Sequence, residues 1–437
     1  MPSERSSLLK ALGWLILFSL SLSAEHAHAK PLTLVREGKP AATIVTAADP
    51  LLVVQLAVAE LNHYIEKITG TALPVADDSR QVEGVRVLVG ESPATRALGL
   101  ISADFEKQEY LVQTRPDALI IIGRDADDRG KLDYENSGVW KDFSYFSELG
   151  TLYGVYDFLE RCCGVRWYLP TEIGEVVPKR STLEIDPVNI RRKPWAKYRW
   201  IGTNRPMPAR LYQWDMSQPE ALKNLPRLPD REVTLFWLRQ RMGGEFFICN
   251  HSFYPWQKRF AKTHPEYFAI NEDGTINIEQ LNYASDAVVE QVVRDILACR
   301  RGEWNDENGI PRFGRAKENI FPLVPMDNRR WSCDPASQRL LLPEPTRTIG
   351  SFNTNRASRY IFQFVIKVAK RIAELDPGVI ISALAYSEYY FPPEPPPERF
   401  PDNVAIMVCK QQVKARTTRY DKAYYDSLRK WRGKVKR

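Results

Sequence analysis

Ala357-Ser-Arg-Tyr-Ile-Phe-Gln-Phe-Val-Ile-Lys-Val-Ala-Lys-Arg-Ile-Ala-Glu374, then Ile380-Ile-Ser-Ala-Leu-Ala385 and Val404-Ala-Ile-Met-Val-Cys409, is the stretch that decides the fold. Ile361, Phe364, Val365, Val368 and Ile372 recur at three- and four-residue intervals, which places them on one face of a helix. The two runs that follow are short and apolar and read as strands. Shorter runs at 198–202, 245–249 and 320–324 have the same character, and a further amphipathic helix covers 286–300. Strands separated by long helical crossovers form parallel sheets, and five such units beside a separate domain predict a (β/α) barrel over residues 195–437. A closed (β/α)8 barrel needs eight strands. The expectation is therefore an open or a truncated barrel, and truncation is favoured because the last segment before Arg437 is helical.

Upstream, residues 30–190 alternate strand and helix signals more tightly. A β-branched strand at 42–46 precedes Val54, Val58, Leu61, Ile65 and Ile68, a helical stripe closed by Gly70. Strands follow at 85–89, 109–113 and 118–122, the last apolar at every position, as in a strand covered on both faces. A helix at 149–161 ends before Gly164, and 165–168 resumes a strand. The whole predicts an α/β sandwich domain, with 186–194 as a linker to the barrel.

The first 29 residues are set apart by their layout. Arg5 and Lys10 precede an apolar run from Ala11 to Leu22, and Ala27-His28-Ala29 has the small-x-small pattern of a cleavage site. That is a secretory signal peptide, with cleavage near Ala29 and a secreted or periplasmic product. An uncleaved anchor is the alternative. No other stretch is apolar for long enough to span a bilayer. The 437 residues carry 61 Lys and Arg against 54 Asp and Glu, and 31 Pro with 23 Gly. Those proportions exclude collagen-like, coiled-coil and disordered classes. Six cysteines are too few for a disulfide scaffold of this length, so most are expected as buried thiols with at most one disulfide of open pairing. Eleven basic residues from Lys410 onward meet only Asp421 and Asp426, leaving the rest of the chain near neutral. Tyr424, Leu428 and Trp431 form one apolar stripe in this tail, so it reads as a solvated helix and not as a nucleic-acid site. No zinc-spaced ligand set, phosphate loop or Ser/His/Asp triad is present, and no cofactor is expected.

In a barrel, working residues sit at the carboxyl ends of the strands. That rule selects Arg199 in Trp195-Ala-Lys-Tyr-Arg-Trp-Ile-Gly202, His251 after the second strand and Asp327 after the third. After the fourth it selects Glu388, among Tyr386, Tyr389 and Tyr390. A carboxyl enclosed by aromatic rings is partly desolvated, as a general acid needs, and aromatic rings also stack on sugar faces. The first three have plainer readings: an interface ion pair for Arg199, a structural histidine for His251 and a helix cap for Asp327.

Gly150-Thr-Leu-Tyr-Gly-Val-Tyr-Asp-Phe-Leu-Glu160, Gly164-Val-Arg-Trp-Tyr168 and Gly174-Glu-Val-Val-Pro178 resemble the end of the α-glucuronidase-type (glycoside hydrolase family 67-like) N-terminal domain. The same domain type precedes the barrel of DUF4838 proteins. Asn250-His-Ser-Phe253, His264-Pro-Glu-Tyr-Phe268 and Gln280-Leu281 resemble motifs of that barrel, so the likeness spans nearly all of 30–437. It implies the domain order of α-glucuronidases and β-hexosaminidases. In that order an arginine after the first barrel strand, here Arg199, and an early histidine, here His251, bind sugar. The general acid follows the fourth strand, here Glu388, with Asp327 as a possible partner, and further base carboxylates come from later strands.

The function expected from the sequence is an exported glycoside hydrolase-like protein acting on a polysaccharide or oligosaccharide, with uronic-acid substrates among the candidates. Glu388 and Asp327 would be catalytic, and Arg199, His251, Tyr386 and Tyr389 would bind substrate. The alternative is a carbohydrate-binding or surface-interaction protein that keeps the fold without turnover. Sugar, linkage, stereochemical course and oligomeric state stay open.

Overall fold

The computed structural model describes residues 30–135, 144–200, 230–303, 319–395, 399–410 and 418–436. The expected signal peptide and cleavage site lie outside the described residues. The architecture is mixed α/β with several sheets, divided into two compact units at 1–246 and 247–437. The residue at which the barrel was expected to begin, 195, lies inside the first unit.

The main sheet of the first unit has six strands in the order Asn189–Arg192, Tyr110–Arg115, Ala118–Gly123, Val85–Val89, Ala42–Thr46, Val75–Asp77. The last four run parallel, and the first two add antiparallel to the edge. Along Ala118–Gly123, Leu119 and Ile121 join one apolar cluster while Ile120 and Ile122 join another, so the strand is covered on both faces as its composition predicts. Helices Leu52–Thr69 and Gly150–Arg161 cover one face. The first of them ends at Gly70, whose φ of 78° suits a residue without Cβ. Gly150 is required by proximity: a Cβ there would lie 2.4 Å from the Arg124 nitrogen and 2.5 Å from the Glu109 oxygen. Helix and sheet backbones thus touch directly at this point. The segment 186–194 is not a linker. Its centre is the edge strand Asn189–Arg192, held by backbone bonds to Tyr110–Gln113.

Helix Asp230–Arg239 was not anticipated, and a buried ion-pair network ties it to the first unit. Arg239 donates to Glu60 through Nε (2.7 Å) and Nη2 (2.9 Å) and to Glu175 through Nη1 (2.9 Å). Tyr64 and Lys67 also donate to Glu175, and Tyr134 to Glu60. Burial alone would raise the Glu60 carboxyl, but the Arg239 charge and these hydrogen bonds hold it below its ordinary value.

In the second unit, Ile320–Pro322, Ile380–Ala385 and Val404–Val408 form a parallel three-stranded sheet. Helices Asp286–Arg300 and Ser358–Leu375 pack on it, and Ile361, Phe364, Val365, Val368 and Ile372 are all fully buried as their spacing predicts. Two of the five expected strands differ. Only Tyr198–Arg199 of the run 198–202 is a described strand, and it pairs antiparallel with Gly243–Gly244 inside the first unit. The run 245–249 is not a strand. Its backbone instead reaches the parallel sheet through single contacts: Ser382 Oγ donates to Ile248 O (2.5 Å), and His251 bridges Val324 in parallel. The described residues contain a three-stranded parallel sheet with one flanking extended segment, not a closed barrel. All six cysteines are free, with Cys163 and Cys299 buried. The tail helix Thr418–Trp431 buries Trp431 against Phe362 and Phe400. No helix among the described residues is long and apolar enough to cross a membrane.

Two measurements follow from these contacts. Arg239→Ala leaves Glu60 buried and uncompensated, and is expected to cost about 3–5 kcal/mol in urea unfolding. A loss below 1 kcal/mol would contradict the role assigned to the network. Asp125 accepts from the Thr151 amide (2.9 Å) and hydroxyl (2.5 Å) at the start of Gly150–Arg161, and burial pushes its carboxyl up to about 7. The folded state then holds a proton that the unfolded state releases near its ordinary pKa of about 3.9. Stability should therefore fall as pH rises from 4 to 7. Asp125→Asn should gain on wild type over that window by on the order of 1–3 kcal/mol. An unchanged difference between pH 4 and 8 would remove the claim.

Candidate functional site

The parallel register sets where the polar residues gather. Ser252 N donates to Val324 O and Leu323 N to Ser382 O, so the chain at 251–252 and the strands from 320 and 380 advance side by side. Their carboxyl-terminal extensions begin at neighbouring positions: His251, Asp327 and Tyr386. The Tyr386 hydroxyl donates to Asp327 Oδ1 at 3.2 Å, and His251 Nε2 lies 3.6 Å from the same oxygen. His251 Nδ1 contacts the Pro325 carbonyl, an acceptor only, so the proton belongs on Nδ1 and Nε2 is left facing Asp327. The rings of His251 and Tyr386 meet edge to face at 5.9 Å. Burial, followed by the Asp327 charge, pushes the Tyr386 hydroxyl up to about 12, so it stays a donor at any physiological pH.

Asp327, Arg329, Phe352, Tyr386, Ser387 and Tyr389 are among the residues lining a cleft of about 120 Å³. Half of the Asp327 side chain is exposed, and among the described residues its Oδ2 carries no hydrogen bond. Arg329 completes the wall: Nε donates to Ser387 Oγ (3.2 Å), Nη2 to Phe352 O (3.0 Å), and the guanidinium lies over the Phe352 ring. Ser387 has φ 50°, a left-handed conformation that is costly for a residue with a Cβ and that turns the chain sharply after the strand.

Glu388 is placed differently from Asp327. It is buried, and both of its contacts fall on Oε2, from Trp331 Nε1 (2.6 Å) and Arg356 Nη1 (3.2 Å). It does not line the cleft. Arg199 belongs to the first unit, where it donates to Arg241 O, Ala196 O and Gln108 Oε1, each at 2.6 Å. The structure thus groups His251, Asp327, Tyr386 and Tyr389, puts Glu388 behind the cleft wall, and gives Arg199 protein partners of its own. Asp327 caps no helix; Asp334, seven residues on, caps Pro335–Gln338.

Arg329, Tyr254 and Gln280 were not selected from the sequence. Tyr254 accepts from the Asp327 amide at 3.0 Å. Gln280 is fully buried: Nε2 donates to Met326 O (3.1 Å), while Oε1 accepts from the Tyr283 hydroxyl (2.7 Å) and the Met326 amide (3.3 Å). This amide, with the Tyr254 hydroxyl and the Asn328 bond to Glu279 O, holds the loop that carries Asp327. The visible signal was the Gln280-Leu281 motif, which said nothing of a role. Among the described residues no group of three His, Cys, Asp or Glu could hold a metal ion.

Gln280→Leu, close in volume, removes the acceptor of the buried Met326 amide and Tyr283 hydroxyl and should cost about 1–3 kcal/mol. It should also broaden the backbone NMR signals of residues 326–330. Unchanged stability together with unchanged signals would show that the loop is held by other contacts.

Residues 169–437 match the model of the family described as a domain of unknown function, DUF4838, and the chain belongs to that family. No curated protein is similar to it in sequence. Among solved structures it is similar to a family GH115 4-O-methyl-alpha-glucuronidase, BtGH115A, with specificity for decorated arabinogalactans. That match has 13% identity and a TM-score of 0.43 over 86% of this chain and 46% of the other. It is also similar to the GH20 beta-N-acetylhexosaminidase from Streptomyces coelicolor A3(2), at 11% identity and a TM-score of 0.37 over 91% and 71%. A third is the beta-N-acetylhexosaminidase from Bacteroides fragilis NCTC 9343, at 10% identity and a TM-score of 0.34 over 87% and 68%. The chain spans less than half the length of the first of these.

Proposed function

We propose that this DUF4838 member is an exported, carbohydrate-acting protein of glycoside-hydrolase type, working at the Asp327 cleft on an oligosaccharide or polysaccharide, with uronic-acid sugars among the candidates. The observation that carries the proposal is the half-exposed Asp327 carboxylate, bonded by the Tyr386 hydroxyl and flanked by the His251 ring at adjacent strand ends. Export rests on the sequence of residues 1–29.

In this reading Asp327 is the proton-transferring carboxyl. Tyr386 orients Oδ1 through its hydroxyl, leaving Oδ2 for the ligand, and the faces of Tyr386 and Phe352 offer apolar surface to a sugar ring. Glu388 exchanges the role expected from the sequence for a positioning one: with Oε2 it holds Trp331 and Arg356, and Trp331 packs on Tyr389. Glycoside hydrolysis uses two carboxyls; Glu388, the other carboxyl at these strand ends, does not line the cleft, so the second would come from elsewhere in the chain or from the substrate. On a panel of aryl glycosides, Asp327→Asn should lower kcat by about 10²–10⁴-fold with the melting temperature retained. Glu388→Gln should chiefly lower the melting temperature. Wild-type kcat in Asp327→Asn, or a pure kcat loss in Glu388→Gln, would reverse the assignment.

A second reading is binding without turnover. Two observations favour it: the cleft of about 120 Å³ is below the usual range of ligand pockets, roughly 300–1,000 Å³, and only one carboxylate lines it. Calorimetric binding of an oligosaccharide with no reducing sugar released would select this reading.

A further inference from the structure

A second concave surface lies wholly within the first unit. The groove holds about 400 Å³, inside the usual range for ligand sites, and its walls include Lys107, Lys193, Trp195, Lys197 and Glu245. Trp195 is 97% exposed, the most exposed large hydrophobic side chain among the described residues. An indole left in water forgoes the burial that usually makes tryptophan worth having, and tryptophans held in the open are enriched where a partner covers them.

The ground beneath Trp195 is fixed. Arg199 donates through Nη1 to Ala196 O and through Nη2 to Gln108 Oε1, and Glu245 N donates to Lys197 O at 2.7 Å. These bonds pin the chain on the carboxyl side of Trp195 and, through Gln108, the opposite wall. Lys193 is paired with Glu106 and Lys197 with Glu245. Lys107 and Arg199 have no carboxylate within ion-pair distance among the described residues, so the groove carries an excess of positive charge. A flat apolar ring bordered by hydrogen-bonding side chains suits a pyranose, which presents an apolar face and a hydroxyl rim. The uncompensated cations suit a ring that carries an acidic group.

We propose that the Trp195 groove is a glycan-binding subsite, separate from the Asp327 cleft, in which an acidic sugar stacks on the indole and sets its anionic group against Lys107. It shares only the carbohydrate class with the reading above and needs no turnover, so a protein without glycosidase activity still tests it.

The test is calorimetry on the full chain with three probes: an oligogalacturonate, a sulfated galactan oligomer and a neutral cello-oligosaccharide. The acidic probes should bind at least tenfold tighter than the neutral one, with the difference shrinking as salt rises. Trp195→Ala should weaken acidic binding by about tenfold or more and Trp195→Phe should restore part of it, because stacking survives in a smaller ring. Lys107→Ala should reduce affinity for the acidic probes alone. Preference for carboxylate or for sulfate ester identifies the source of the anion. Equal binding of neutral and acidic probes would overturn the acidic class. Unchanged affinity in Trp195→Ala, no binding to any glycan, or binding to anionic vesicles or DNA in place of glycans would overturn the subsite itself.

Discussion

The candidate site depends on parallel pairing between chain segments far apart in sequence. Ile320–Pro322 lies beside Ile380–Ala385, and the segment at 251–252 lies beside Val324. Because all of these advance in one direction, their polar extensions emerge at one edge of the sheet. A shift of one residue in the pairing would turn every side chain of a strand to the other face and separate Asp327 from Tyr386. The buried face of Ser358–Leu375 opposes such a shift, since Phe364, Val365 and Val368 fill the space against the sheet.

Given that edge, the chemistry is decided by which groups reach water. Asp327 and Glu388 lie at adjacent strand ends, yet their surroundings divide them. Asp327 is half exposed, with one oxygen engaged by the Tyr386 phenol and the His251 ring beside it. Glu388 is enclosed, with one oxygen taken by an indole N–H and a guanidinium. A carboxylate neutralised in this way holds the wall together, whereas one with a free oxygen at a cleft can exchange a proton with a ligand. The loop between Asp327 and Trp331 joins the two, so the enclosed carboxylate and buried Gln280 together steady the exposed one.

Much of this was legible from spacing. The stripes of Leu52–Thr69, Asp286–Arg300 and Ser358–Leu375, and the unbroken apolar run of Ala118–Gly123, declare their own burial, because periodicity is a local property. The strand-end rule selected Asp327 and His251, which the structure brings side by side, and Arg199 and Glu388, which it places away from them. Other features were hidden for physical reasons. At 245–249 an apolar run looked like a strand, but among the described residues it is held by single bonds to distant residues and joins no ladder. Arg239 looked like an ordinary helical arginine until Glu60 and Glu175, far away in sequence, enclosed it. The ranking of Glu388 above Asp327 followed from its aromatic neighbours in sequence. The indole that engages it, Trp331, comes from another loop and supplies a donor, not merely an apolar wall.

The most direct measurement of the central claim is carbon-13 NMR of the side-chain carboxyl carbons of Asp327 and Glu388 during titration with an oligosaccharide. The account predicts that the Asp327 signal shifts in proportion to ligand bound while the Glu388 signal stays in place, because only Asp327 offers an oxygen to the cleft. A shift of Glu388 with Asp327 unmoved would contradict it.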